Sequence, residues 1–421
     1  MAKIRPLFGL RFSGSAGDLV DLVAPPYDVI SESEREALAA QSENNVVSLT
    51  LPLSKPDDRS KYVKYARSAS TLEDWVREGI LQKETKPAYY RYLQTFALPN
   101  GQVVTRQAMI ATIKVEPYEA GTVLPHEQTF PKHKEDRLRI LEATRSHLEC
   151  IYGLYEDPDR TIFDTIGSAT GETVAHITVD DVRHVIETIT DAEQVALITE
   201  LLSDRKVWIA DGHHRYETAV NFRQALGERD HEVPEDYIMM ALSSMADPGL
   251  VILPTHRILK KPVENIREKL DAKYWTISEA PNSDLMSTIE RIQNAGYRAF
   301  GIAQPGGTGI VLEITDLAKV VAEIPGDASE SLKSLDVTIL HDIIFAKHLG
   351  LTGIDFFGYT RIEQEAVDAV EAGVQSFLMN APSVEDMRIV ALGGEKMPQK
   401  STYYYPKIIS GLVIWRLADF A

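Results

Sequence analysis

Cysteine is almost missing from this sequence: Cys150 is the single one in 421 residues. That excludes an intrachain disulfide framework and a cysteine-based zinc finger, and it fits a reducing compartment. Long apolar runs are missing too. The opening segment Met1–Leu10 is broken by Arg5 and Pro6 before an apolar core of signal length can form. No stretch approaches the roughly 18 apolar residues of a spanning helix, so no membrane association is expected and the sequence reads as cytoplasmic. Positive charge is in deficit, with 44 Lys and Arg against 62 Asp and Glu and a formal net charge of −18. Sequence-independent grip on nucleic acid needs many cations facing phosphates. A nucleic-acid partner is therefore not expected, while a local basic pocket for a small anion stays compatible with the balance. Repeats at solenoid periods and low-complexity tracts are also lacking.

What is present is an ordinary soluble composition, 44% hydrophobic and 25% charged. The length exceeds what one core usually serves, so at least two lobes are expected, divided here as residues 1–258 and 259–421. Early on, strand-like Arg5–Phe12 leads to the turn Ala24-Pro25-Pro26-Tyr27-Asp28. Ser31-Glu32-Ser33-Glu34 then reads as a helix start. Val46–Pro52 looks β-like, Tyr62–Gly79 has helical periodicity, and Ala88–Ala97 with Gln102–Val115 reads as a hairpin about Asn100-Gly101. In the middle, the apolar Lys206–Ala210 reads as a buried strand, Asp211–Arg215 as a polar turn and Tyr216–Leu226 as a helix. After residue 259, helices are expected at 263–271, 283–295, 331–348, 361–373 and 383–392. Strands are expected at 273–278, 298–303, 309–314, 354–360, 375–379 and 402–415. The alternation predicts an α+β (mixed α/β) chain whose C-terminal lobe carries a mixed sheet.

Three segments look like chemistry. In Asp211-Gly212-His213-His214-Arg215 a helix N-terminus would offer backbone N–H groups to a phosphate, Gly212 would let it approach, and Arg215 could fork onto two of its oxygens. Asp211 could hold Mg²⁺ or cap the helix, and the histidines could donate to phosphate or exchange protons. The segment from Leu124 to Arg137 sets Glu127 among His126, His133, Lys132, Lys134 and Arg137. Its carboxylate could be a general base or a metal ligand, although from composition alone a solvated loop leading into helix Asp136–Thr144 is the preferred reading. Lys400-Ser401-Thr402, followed by Lys407, offers cations and hydroxyls, but no glycine precedes Lys400 as a Walker loop requires. It is as readily an edge strand. Tyr27, Asp28 and Asn45 could line a pocket, or serve only turns and caps. Cys150 reads as a small buried hydrophobe. The HExxH zinc spacing is absent after His126-Glu127.

Taken together, Pro25–Ile30, His126-Glu127-x-Thr129, Lys134-x-Asp136-Arg137-Leu138, Ala210–Ala219 and Met397–Tyr403 resemble the signature of domain-of-unknown-function family 1015. The resemblance runs over nearly the whole chain, with one departure at Leu148-Glu149-Cys150-Ile151, where a Ser-Pro pair is expected. The Asp-Gly-His-His-Arg turn is similar to the nucleotide-phosphate motif of the ParB/sulfiredoxin superfold, which includes free-serine kinases. That likeness implies a ParB/sulfiredoxin-like N-terminal and middle region with insertions. It also implies that Asp211, Gly212, His213, His214 and Arg215 grip the donor phosphates.

The reading that follows is a small-molecule kinase, converting free L-serine to O-phospho-L-serine with ATP, ADP or pyrophosphate and Mg²⁺. Catalytic roles fall to Glu127 as base, with His126, Asp211 and His213. Lys134, Arg137, Lys400, Ser401, Thr402 and Lys407 join the phosphate grip. Tyr27, Asp28, Asn45 and Thr129 face the acceptor, and Asp211 holds the metal. Phosphoryl transfer suits such a set, since it needs positioning and charge rather than covalent help. A non-catalytic nucleotide-binding regulator and a metal-dependent phosphatase or hydrolase are the alternatives.

Overall fold

The structure is a computed structural model describing residues 2–98, 100–127, 131–353, 355–398 and 400–420; for 131–133 it describes the backbone only. The expected acceptor residue Thr129 lies outside the described residues. The chain forms two compact units. One comprises 1–125, 129–251 and 406–421, and the other comprises 126–128 and 252–405.

The first unit is built on a mixed sheet. Its strands are β1 (Ile4–Arg5), β2 (Tyr89–Ala97), β3 (Val103–Lys114), β4 (Val123–Leu124), β5 (Ile151–Tyr155), β6 (Glu172–Val179), β7 (Val182–Ile189), β8 (Val207–Asp211) and β9 (Tyr237–Ser244). They run in the order β4-β8-β5-β9-β3-β2-β7-β6, with β1 alongside β3. β8 lies parallel to β4 and antiparallel to β5, while β5 and β9 are parallel. The expected hairpin is formed by β2 and β3 in the register Tyr90↔Ile110 to Ala97↔Val103. Central strands β5 and β9 are buried along their whole length, which is why they read as apolar runs without alternation.

The helices of this unit include α1 (Glu32–Gln41), α2 (Val47–Thr50), α3 (Val63–Arg77), α4 (Pro131–Thr144), α5 (Ala192–Ser203) and α6 (His213–Ala225). α1 opens with a capping box, Ser31 and Glu34 each closing the other's backbone N–H. One expectation is corrected here. Val46–Pro52 is not a strand, because the Asn45 side chain accepts from Val47 N at 2.9 Å and turns the chain into α2. Apolar residues of α2, including Val47 and Leu49, then pack into a cluster with Tyr65, Leu72 and Trp75 of α3.

The second unit carries β10 (His256–Leu259), β11 (Trp275–Pro281), β12 (Ala299–Ala303), β13 (Thr308–Ile314), β14 (Phe357–Thr360) and β15 (Ser376–Leu378), in the order β11-β13-β12-β15-β10-β14. Each of these pairings is antiparallel. The mixed sheet expected in the C-terminal lobe is therefore found in the first unit instead. β11 and β12 are joined through α7 (Leu285–Asn294), but β13 folds back between them, so every neighbour runs the opposite way. The single helix expected over 331–348 is divided into Glu330–Lys333, Asp336–Ile339 and a π-helix over Leu340–Leu349. The strand expected over 402–415 is interrupted, with only Tyr403–Tyr405 and Trp415–Arg416 extended. Pro406 removes a ladder donor and Gly411 takes φ +99° in the interval. No helix among the described residues is long and apolar enough to cross a membrane.

Candidate functional site

In the first unit the site grows from the end of β8. Val207, Trp208, Ile209 and Ala210 are buried, as an internal strand requires. The register against β5 then shifts between Ile209 and Asp211. Such a bulge re-aims the next side chain and recurs beside active sites. Gly212 follows at φ +90° and starts α6 without any side-chain cap. A Cβ there would lie 2.9–3.1 Å from the Arg215 guanidinium in a backbone conformation that L side chains avoid. The helix begins at His213, one turn earlier than expected, because glycine completes the change of direction in a single residue. Asp211 does not cap this helix.

Instead its carboxylate holds two cations. Lys407 Nζ donates to Oδ1 at 2.7 Å, and the Arg215 guanidinium donates to Oδ2 at 3.1 Å. Burial opposes the charge on Asp211, but Lys407 and Arg215 outweigh it and hold the carboxyl down at about 2. A second arm of Arg215 donates to the Cys150 carbonyl at 2.6 Å. Burial also works against the Arg215 charge, and Glu149, Asp211 and Asp28 override it and raise the guanidinium above its usual range. The Cys150 thiol is buried, and burial pushes it up to about 12, so its carbonyl rather than its sulfur serves the site.

Beside Arg215 stands a second arginine. Arg137 of α4 donates to the Thr50 carbonyl at 2.9 Å, pairs with Asp136, and lies 3.6 Å from Glu149 Oε2. The Tyr27 ring lies under Arg137 at 3.8 Å, with Arg215 at 5.9 Å. Glu149 Oε1 accepts from Tyr27 N and from Ser410 Oγ, both at 3.0 Å. A cavity of about 50 Å³ is lined by Arg137, His147, Glu149, Arg215 and Thr218. Two arginines facing one small space, with glutamate as their counter-charge, can hold and orient a small oxyanion or zwitterion.

Not every expected residue stands free for a ligand. Asn45 is buried, and its amide donates to the Asp21 and Val23 carbonyls at 2.8 and 3.0 Å. Lys134 pairs with Glu217 of α6 at 2.8 Å. His213 is buried and near enough to act on the Asp211 charge, while His214 is half-buried on the same first turn and Asp28 is exposed.

His126, Glu127, Lys400, Ser401 and Thr402 belong to the second unit, where they meet one another. His126 Nε2 lies 2.8 Å from Thr402 Oγ1, and Glu127 Oε1 accepts from the Lys400 backbone N–H at 3.0 Å. The His126 carbonyl accepts from Met397 N at 2.7 Å. The Ser401 hydroxyl donates to the Pro398 carbonyl. Lys400 takes φ +58°, unusual for a residue with a side chain. The two stretches, some 270 residues apart in sequence, thus form one polar turn.

Among the described residues, no group of three or more His, Cys, Asp and Glu could hold a metal ion. Both oxygens of Asp211 accept from cations. Mg²⁺ commonly keeps several waters and binds through one or two carboxylates plus substrate phosphates. With both oxygens of Asp211 already engaged by Lys407 and Arg215, the described residues hold no ready-made Mg²⁺ site, and Mg²⁺ would have to come bound to the phosphate donor.

The residues missed by sequence reasoning are Glu149 and Ser410. Glu149 sat in the segment set aside as a departure from the family pattern. A lone carboxylate in an apolar stretch, Leu148-Glu149-Cys150-Ile151, was the signal available.

The sequence matches the family described as "Protein of unknown function (DUF1015)" over residues 4–338. No curated protein matches it. Among solved structures, an ADP complex of a free serine kinase mutant aligns at 14% identity and TM-score 0.36, over 71% of this chain and 91% of that one. A conserved hypothetical protein from Pyrococcus furiosus aligns at 18% identity and TM-score 0.34, over 71% and 94%. C-terminally truncated SbnI from Staphylococcus aureus aligns at 13% identity and TM-score 0.34, over 72% and 87%. Likenesses of this size fix no function.

Proposed function

This chain belongs to the family described as "Protein of unknown function (DUF1015)", and we propose that it is a phosphotransferase acting on a small hydroxylated acceptor, with free L-serine as the first candidate. The observation that carries the reading is Asp211, fixed at the end of β8 and holding Arg215 and Lys407 at 3.1 and 2.7 Å beside the uncapped start of α6. A carboxylate that stays ionised down to about pH 2 orients both cations permanently. They need no reorganisation when a phosphate arrives, and this pre-alignment is the main protein contribution to phosphoryl transfer. The first-turn N–H groups of α6 supply further donors. The sequence resemblance of Asp211–Arg215 to the nucleotide-phosphate motif of free-serine kinases supports the same assignment.

On this reading the donor is ATP, ADP or pyrophosphate. Gly212, His213, His214 and Arg215 hold its phosphates, with Lys134, Arg137, Lys400, Ser401, Thr402 and Lys407 as supporting cations and hydroxyls. Asp211 is the carboxylate for Mg²⁺, and a bound Mg²⁺ would neutralise charge on the donor oxygens. Glu127 takes the proton of the acceptor hydroxyl as its oxygen bonds to phosphorus, and the P–O bond to the donor breaks with the leaving oxygen keeping the electron pair. His126 and Thr402 orient the turn that carries Glu127. Tyr27 and Asp28 face the acceptor. The region about Asp211 is ParB/sulfiredoxin-like on the same reading.

The test incubates purified protein with L-serine, Mg²⁺ and each donor in turn, and reads O-phospho-L-serine by mass spectrometry. Product with any one donor is the expected result. No product from any donor, with Mg-nucleotide shown to bind, removes the reading.

A further inference from the structure

Among its described residues, the second unit buries a charge with no counter-charge. Arg257 on β10 is fully buried. It donates to the Thr255 carbonyl, and to the Lys400 carbonyl at 3.2 Å; it touches Met379 Sδ at 3.5 Å and lies 5.4 Å from the Tyr359 ring. All four partners are neutral. Among the described residues no carboxylate pairs with it, and its Nε is a buried donor with no acceptor. Burial lowers the guanidinium to about 10, with Tyr359 opposing, so it keeps its proton at neutral pH. A buried ion without its counter-ion is strongly unfavourable, and buried charges are paired as a rule.

Independent observations fall at the same place. Tyr359 and Phe377 are the register partners of Arg257, so the three share one face of the sheet. The π-helix Leu340–Leu349 packs on that face, with Phe345 4.7 Å from Phe377 and 4.3 Å from Phe357. π-Helical turns are rare and are frequently found at functional sites. This one carries His341, whose Nε2 is buried without a partner. Burial and the charge of Arg257 hold the His341 ring neutral, at about 4. Asn380, next in sequence to Met379, adds a buried amide nitrogen that also lacks a partner. Two of these unpartnered atoms, Arg257 Nε and the Asn380 amide nitrogen, are donors, so the place lacks acceptors, and Arg257 lacks a negatively charged one.

We propose that Arg257 and His341 form a binding site for a small-molecule carboxylate. One negative charge balances one guanidinium, whereas a phosphate dianion would leave a surplus charge buried beside a neutral imidazole. The Lys400 carbonyl occupies one guanidinium arm from a left-handed residue. Rotation of that peptide would vacate the arm and relieve the backbone at once, which gives the carboxylate a way in.

The test follows the thermal unfolding midpoint of the full chain in sodium acetate against sodium chloride at equal ionic strength, with inorganic phosphate as a second arm. Acetate is expected to raise the midpoint of the wild type, and that of Arg215→Ala by the same amount. Arg257→Met is expected to lose the acetate response and to melt, without acetate, at or above the wild type. An undiminished acetate shift in Arg257→Met overturns the site, and stabilisation by phosphate but not acetate overturns the carboxylate. His341→Ala, at the more accessible partner, guards against misfolding of the arginine variant. It is expected to reduce the acetate shift by more than half, and an unchanged shift counts against the proposal.

Discussion

Glu149 shows how much of the site turns on single charges. It accepts from Tyr27 N and Ser410 Oγ and faces Arg137, so it sets the position of the aromatic ring lying under that arginine. Its removal would leave a buried guanidinium short of a counter-charge. Glu149→Gln is predicted to cost about 2–4 kcal/mol of stability by urea unfolding, somewhat less than the roughly 3–5 kcal/mol usual for breaking a buried pair, because Asp136 still faces Arg137; a loss indistinguishable from zero would show Glu149 to be dispensable. Arg215→Ala removes charge-assisted hydrogen bonds worth roughly 1.5–3 kcal/mol each. It should raise the donor KM about 10- to 100-fold and change kcat less, as steady-state kinetics would show. Glu127→Gln should do the reverse, lowering kcat by roughly 10²–10⁴ with the donor KM nearly unchanged. Full turnover in that variant would leave the reaction standing and remove the base.

At the scale of elements, the junction from β8 to α6 was legible because its signals are local. An apolar strand, a glycine and a polar first turn each act over a few residues, and the structure orders them as the sequence does. Gly212→Ala should cost about 1–3 kcal/mol, since alanine at φ +90° is strained and its methyl would crowd Arg215. Urea unfolding measures the loss, and a neutral effect would show that the turn relaxes freely. Val46–Pro52 was misread because β-branched and apolar residues also suit a short buried helix, and the deciding contact, Asn45 to Val47 N, depends on a side-chain direction. The meeting of His126 and Glu127 with Lys400 and Thr402 joins positions 276 and 273 residues apart. No periodicity reports contacts of that range. Resemblance to a family flagged both stretches, and only the fold pairs them.

On the scale of the whole molecule, buried histidines and carboxylates set the response to acid. Burial holds His147, His184, His256 and His341 at about 4, below the ordinary value of about 6.5. A histidine depressed on folding stabilises fully above its unfolded value, and that contribution is lost as pH falls toward the folded one. Stability is therefore predicted to fall between about pH 6.5 and 4. A second loss comes as Asp211 and Asp136, both held at about 2, give up their pairing below about pH 4. Urea midpoints measured from pH 8 to 3 should decline through the first window, and a flat profile from 7 to 4 would contradict the burial of these rings. The acidic balance, a net charge of −18, coexists with a site at which Arg137, Arg215 and Lys407 are held by carboxylates. Composition reported the first and was blind to the second, because charge totals carry no positions. The central claim is that the turn after β8 grips donor phosphates, and calorimetry of Mg-nucleotide binding to the wild type and to Arg215→Ala tests it most directly. Binding to the wild type that weakens at least tenfold in the variant is the predicted result; equal affinity in the two would contradict it.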